Sequence, residues 1–224
     1  MTDKSDDRPR VALEQRSTSA DQRMFSPSAA RNVGSILAVL QRVLPSSGSV
    51  LEIGCGTGEH AVAFAGAMPH LTWRPSDPDP GARASTASWI SFTGLSNVHA
   101  PREIDVCAST WGVEQDAPFD AILSLNMVHI APWSASLGLF AGAGRMLRAG
   151  ALLILYGPFM RDGAHNAPSN AAFDSSLKAR NPSWGVRDIA DLERLGEESG
   201  LVLRDMIEMP ANNRTLVFAK RASL

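Results

Sequence analysis

The residues best suited to chemistry begin with three glycines at alternate positions, Gly54, Gly56 and Gly58, closing the apolar run 49–54. Glycine lets a backbone turn sharply and approach a ligand closely, and the N-terminus of a following helix attracts negative charge. A strand, glycine turn and helix over VLEIGCGTGEH therefore form a nucleotide-type site. A dinucleotide fingerprint would place a third glycine five residues after the first, whereas the spacing here is G-x-G-x-G. Taken alone, the same glycines also suit a plain tight turn. Asp77 closes the next strand-like run, where a carboxylate beside the loop can accept both hydroxyls of a ribose. Asp105 closes the third run, placed to accept from an exocyclic adenine amine, with Val106 packing on the ring. Each aspartate singly is equally a turn or cap residue. Their joint placement after consecutive strands favours a ligand.

Such a site needs a parallel sheet to carry it, and the hydrophobic periods supply one. Ser26 caps a helix beginning at Pro27, with Val33, Ile36, Leu37, Leu40, Val43 and Leu44 at helical spacing. Strands are expected over 49–54, 71–76, 97–105, 119–125 and 149–156, with helices over 60–68, 81–92 and 137–147 between them. The stretch 157–184 is rich in Gly, Pro, Asn and Ser and reads as a functional loop with a short helix near 173–178. A final helix, 188–198, precedes two runs, 201–209 and 214–220, separated by only four residues. That is a hairpin, hence antiparallel. Residues 1–20 mix Asp, Arg, Ser and Thr without an apolar period and read as a disordered tail, which leaves 21–224 as one domain.

Composition removes several classes. Twenty-one Lys and Arg against 23 Asp and Glu give a formal net charge of −2, without the basic footprint of a nucleic-acid binder. The start, MTDKSDDRPR, lacks a signal-peptide core, and no apolar run approaches the roughly 18 residues of a membrane span. A soluble, cytoplasmic protein with no membrane partner is expected. Cys55 and Cys107 have no metal-type spacing, so reduced thiols and no metal are expected.

The combined pattern resembles the class I S-adenosylmethionine-dependent methyltransferases, in which an acidic residue and glycine loop follow the first strand and acidic residues end the second and third. Here these are Glu52 with Gly54, Gly56 and Gly58, then Asp77, then Asp105. Finer motifs are similar to one subgroup, the DUF938 or methyltransferase-like protein 26 family: FSPSAARN (25–32), NMVHIAPW (126–133), LYGPF (155–159), APSNAAFD (167–174), NPSWGVRD (181–188) and MPANNRTLVF (209–218). Ala30 departs from the Glu expected before Arg31 and Asn32. The resemblance implies a Rossmann-like doubly wound α/β sheet of seven strands in the order 3-2-1-4-5-7-6, strand seven antiparallel. It also implies S-adenosyl-L-methionine as cofactor and a small-molecule substrate.

Methyl transfer from a sulfonium chiefly requires that the nucleophile be positioned and desolvated about 3 Å from the methyl. With that fold, His129 just beyond the fourth strand is the candidate base, although a His there can equally bond a carbonyl. Asn126 closes the same strand and can orient cofactor or substrate. Tyr156, the only tyrosine, ends strand five and can present its hydroxyl or simply fill the core. Arg31 and Asn32 lie on a helix that in this fold packs over the cofactor as a lid. Asn170, Asn212 and Asn213 are expected to ring a substrate pocket, because the hairpin after strand six must lie on the glycine-loop edge. His60 and His165 are left unassigned. Two other classes fit parts of the pattern: a cofactor-binding, non-catalytic interaction subunit, and an NAD-dependent oxidoreductase.

Overall fold

The apolar periods become a sandwich of helices on a central sheet. The computed structural model describes residues 16–222. In chain order the elements are β1 (Ser17–Thr18), β2 (Met24–Phe25), α1 (Pro27–Val43), β3 (Gly48–Ile53), α2 (Glu59–Ala67), β4 (Leu71–Ser76) and α3 (Pro80–Thr93). There follow β5 (Phe119–Leu125), α4 (Trp133–Met146), β6 (Leu147–Gly157), β7 (Phe159–Arg161), β8 (Ala164–His165) and α5 (Pro168–Arg180). The chain closes with β9 (Arg187–Asp188), α6 (Ile189–Glu198), β10 (Leu201–Met209) and β11 (Asn213–Lys220). Caps set the helix starts: Ser26 accepts from the Ala29 N–H, Asp79 from Ala82 and Asp188 from Ala190. Pro27 and Pro80 occupy first-turn positions that need no donor.

The main sheet runs β10-β11-β6-β5-β3-β4. The β4-β3-β5-β6 part is parallel, and β11 is antiparallel to both β6 and β10. This is the expected order with one correction. The anticipated third strand, 97–105, contributes only two isolated bridges, Trp73 with Val98 and Ser76 with Arg102, so six strands form where seven were expected. Its apolar residues are too sparse to hold a ladder: Val98 and Ile104 are buried, but His99, Ala100, Arg102 and Glu103 are exposed. The stretch 157–184 is also more ordered than a loop. It holds β7 and β8, which join β9 in a small second sheet, and a 13-residue α5 in place of a short helix. Residues 1–15 of the anticipated tail lie outside the described residues, and Ser17 and Thr18, within its last part, pair with Phe25 and Met24.

Alternation along the strands splits the core in two. Leu51, Ile53, Ile122, Leu153 and Leu155 face α4 and α6, through Leu139, Phe140, Ala143, Leu192 and Leu195. Val50, Ala121, Leu123, Leu152 and Ile154 face α1 and α2, through Ile36, Leu40, Phe64 and Ala65. The buried Trp111 lies against Gly142 of α4, where a Cβ would fall inside the indole ring. In an open helix site Gly→Ala gains about 1 kcal/mol, whereas overpacking a core costs about 1–3 kcal/mol. Gly142→Ala is therefore expected to lower the melting temperature by several degrees. Gly34→Ala in α1, where nothing lies within 4 Å, should raise it. Thermal unfolding followed by circular dichroism checks both, and equal shifts would contradict the packing at Trp111.

Candidate functional site at the carboxyl edge of the sheet

Parallel pairing puts the ends of β3, β4, β5 and β6 on one edge. The glycine turn leaves β3 there with φ +74° at Gly54, +56° at Gly56 and +86° at Gly58, left-handed values that only glycine adopts freely. Gly54 and Cys55 both donate N–H bonds to the Ser76 carbonyl at 2.9 Å, tying the turn to the end of β4. A Cβ at Gly58 would stand 2.6 Å from Thr86 Cα, while at Gly56 nothing lies within 4 Å. The tight side of the loop thus faces α3 and the open side is at Gly56.

Asp77 is half-buried beside that opening. Its Oδ2 accepts the Gly56 N–H at 2.9 Å and its Oδ1 the Asp79 N–H at 2.9 Å, so both carboxylate oxygens are oriented by backbone. Burial raises its pKa, and these N–H bonds oppose the rise. Glu52 is 2% exposed and accepts from Trp73 Nε1 at 2.7 Å. Its desolvation outweighs that bond and lifts the carboxyl to about 7. Trp73 and Ser76, whose Oγ donates to the Glu52 carbonyl at 2.7 Å, were not among the sequence candidates. Only the register of β3 against β4 reveals them.

The N-terminal part of α1 reaches this edge. His60 Nε2 and Asn32 Oδ1 are 2.7 Å apart, and since an amide oxygen only accepts, the His60 nitrogen carries the proton. Nearby, the Tyr156 hydroxyl accepts from Asn213 Nδ2 at 3.0 Å, and Asn32 lies close enough to oppose the rise in the phenol pKa that burial causes. Two hydrogen-bonded pairs, His60 with Asn32 and Tyr156 with Asn213, thus lie side by side, one joining α2 to α1 and the other β6 to the terminal hairpin. Burial holds His60 at about 4, hence neutral. Its link to Asn32 had no sequence signal beyond its place at the start of α2. The Ser26 N–H adds a 2.6 Å bond to Glu59 Oε2, fixing the start of α1 on α2.

Beyond β5, Asn126 turns the chain at φ +56° while its N–H bonds the Tyr156 carbonyl at 2.8 Å. His129 is 2% exposed, its ring edge-on to Phe173 at 5.6 Å, and burial with the nearby Arg187 charge lowers it to about 3. Its Nδ1 has no partner among the described residues. Arg187 holds the surrounding loop through the Val128 and Ala131 carbonyls, at 2.9 and 2.5 Å, and the Gly185 N–H bonds the His129 carbonyl. Asn170 is buried, with its Nδ2 on the Asn212 carbonyl at 2.9 Å, which ties α5 to the hairpin.

Other expected site residues stand apart. Arg31 is exposed on α1. Asp105 is exposed and its Oδ1 accepts the Cys107 N–H at 2.9 Å, an Asx turn. Val106, expected to lie on a ring, is buried in the cluster beneath α4. Asn212, at φ +58°, is exposed and directs its Nδ2 to Ser169 Oγ. Two surface depressions, of about 260 Å³ near Leu40, Leu44 and Met68 and about 140 Å³ near Arg74, His99 and Asp116, do not include these groups. The convergence of polar side chains identifies the site better than concavity does. Among the described residues no group of three or more His, Cys, Asp or Glu is arranged to hold a metal, and no helix is long and apolar enough to cross a membrane.

A family model described as "Protein of unknown function (DUF938)" matches residues 23–220. Among solved structures, an O-methyltransferase family protein from Burkholderia thailandensis superposes with a TM-score of 0.74 at 14% identity, over 88% of this chain and 58% of that one. A putative O-methyltransferase from Nostoc punctiforme gives 0.74 at 17% identity, over 87% and 57%. The S-adenosylmethionine-dependent methyltransferase SibL gives 0.70 at 22%, over 87% and 56%. The chain thus spans a little over half the length of these structures and shares their methyltransferase Rossmann-like fold.

The Glu52 carboxyl yields a test with a defined sign. An acid whose folded pKa lies above its unfolded value contributes stability at low pH and loses it as pH rises from the unfolded value to the folded one. For Glu52 that window runs from 4.5 to about 7. Glu52→Gln keeps an acceptor for Trp73 and removes the ionisation. It should be more stable than the wild type at pH 8 by about 3 kcal/mol, the gap closing below pH 5. Urea unfolding of both proteins across pH measures it, and a constant gap would show that Glu52 does not titrate in this window.

Proposed function

The chain belongs to the DUF938 family, and from that premise we propose that it is an S-adenosylmethionine-dependent methyltransferase acting on a small molecule. The observation that carries the reading is the oriented Asp77 carboxylate beside the open side of the glycine turn, on the edge where α/β sheets bind ligands. The fold shared with the methyltransferase structures supports it.

The residues present fit that cofactor. Asp77 uses one N–H bond on each oxygen, which leaves acceptor capacity on both for a ribose diol. The space at Gly56 leaves room for close approach to the backbone. Bound S-adenosylmethionine would supply a methyl group on a cationic sulfur. Asn126 and His129, after β5, hold the acceptor side. His129 is neutral throughout the physiological range, so it accepts a hydrogen bond from the nucleophile and aligns a lone pair; it does not store a proton. The Phe173 ring and the α5 insertion keep water from that position.

S-adenosylmethionine and S-adenosylhomocysteine should raise the melting temperature, and NAD should not. At about 100 times its dissociation constant a ligand contributes roughly 2.7 kcal/mol. A shift with NAD alone would favour an oxidoreductase. Asp77→Ala should fold and lose about 1.5–3 kcal/mol of S-adenosylhomocysteine affinity by calorimetry, the scale of a charge-assisted hydrogen bond. Unchanged affinity would reduce Asp77 to a turn residue.

A further inference from the structure

The acceptor side of the site is closed. His129 is 2% exposed, and neither surface depression includes it. Its Nδ1 is buried without a partner among the described residues, so a polar group that enters beside it has a bond to make. The ring is flanked by Gly157, where a Cβ would come within 2.9 Å of it, and by Phe173 of α5, edge-on at 5.6 Å. Gly157 is fixed in the β6–β11 ladder, which leaves α5 as the cover that can move.

The two ends of α5 are held by different forces. Its inward face carries Asn170, Phe173, Asp174 and Leu177 at helical spacing, so half of that face is polar. The C-terminal half is anchored: Leu177 lies in the small core with Trp184 and Val186, and Asp174 Oδ1 accepts the Val186 N–H at 2.8 Å. The N-terminal half rests on Asn212 of the terminal hairpin. The Asn212 carbonyl accepts Asn170 Nδ2 at 2.9 Å and, from just before the helix, Asn166 Nδ2 at 3.0 Å, while Asn212 Nδ2 lies 3.3 Å from Ser169 Oγ. Amide bonds of this kind exchange for bonds to water at small net cost, whereas the apolar contacts of Leu177 do not. Opening therefore starts at the Asn212 end, and Phe173 lies between the two ends, against His129.

We propose that α5 is the gate for the methyl acceptor: its N-terminal half swings away from Asn212 about the Asp174–Leu177 anchor, carries Phe173 off His129, and closes again over the molecule that has entered. An acceptor enclosed in this way is small, and closure removes the water that would otherwise solvate its nucleophilic group. The assignment rests on the methyltransferase reading for what enters and specifies the route by which it does.

Carbethoxylation of histidines by diethyl pyrocarbonate, mapped by peptide mass spectrometry, reads the opening directly, because His129 reacts only while its ring is uncovered. The exposed His70 and His99 serve as internal references. Ser169→Cys with Asn212→Cys, in a Cys107→Ser background, puts two thiols where the side chains now meet, and oxidation fastens the gate. His129 should react at least tenfold more slowly in the oxidised protein than after reduction and removal of the reductant, with S-adenosylhomocysteine bound within threefold by both forms. Asn170→Ala releases the gate instead. It should speed the reaction at His129 at least threefold while His60 on α2 keeps its wild-type rate, and it stands as the test if the disulfide does not form. Equal His129 rates in the oxidised and reduced protein, a wild-type rate in Asn170→Ala, or a rise at His60 matching that at His129 would overturn the gate. A wild-type protein that binds no S-adenosylhomocysteine would instead overturn the methyltransferase reading.

Discussion

The site depends on the parallel pairing of β4, β3, β5 and β6, because it brings four strand ends to one edge and so makes neighbours of residues far apart in the chain. Asp77, Gly54, Asn126 and Gly157 each follow or end one of these strands. Backbone bonds lock the edge: Gly54 and Cys55 to the Ser76 carbonyl, Asn126 to the Tyr156 carbonyl. A residue just past a parallel strand has spent its backbone bonds in the ladder and presents its side chain to the cleft, which is why so few side chains suffice to define the site. The antiparallel β11 extends the same logic. By returning between β6 and β10 it puts the 210–213 turn on that edge, and Asn213 beside Tyr156.

Electrostatics divides the edge into two regions. On the β3–β4 side lie carboxyls, with Glu52 raised to about 7 and Asp77 raised but bonded to backbone N–H groups. On the β5–β6 side His129 and Tyr156 are neutral, and Arg214 is the buried cation. At neutral pH the two sides thus differ in the charge they carry, carboxyls on one and, on the other, neutral rings beside the Arg214–Glu208 pair.

Much of this was legible in the chain. The helix over 27–43, the strands 71–76 and 119–125 and the terminal hairpin emerge from period and punctuation alone, since their apolar residues recur at one spacing between capping and turn residues. The glycine loop and Asp77 were legible because a left-handed turn calls for glycine and a carboxylate after a strand accepts nearby backbone N–H groups. The third strand misled because alternating polar residues in 97–105 imitate a half-buried strand, whereas only its bridges to β4 form. The 157–184 stretch misled in the opposite direction: Gly, Pro and Asn suggested a loop, yet Leu177, Trp184 and Val186 with Phe173 and Met160 make a small core of their own. Asp105 and Val106 follow this stretch. Once strand three is lost, the orientation of its last residues is set by the Asx turn at Asp105 and by packing under α4.

What no periodicity could supply is the pairing of polar groups across elements. Asn32 and His60 are 28 positions apart and Tyr156 and Asn213 are 57 apart, and nothing in their local sequence says that they pair. The pairs have a mechanical consequence. The first joins the start of α1 to the start of α2, where the Ser26 N–H adds its bond to Glu59, and the second joins the end of β6 to the terminal hairpin. Elements far apart in the chain are therefore fixed at one edge by side chains that the strand ladder leaves free, and the directional cost of leaving a half-buried amide unpaired is what holds them in that arrangement.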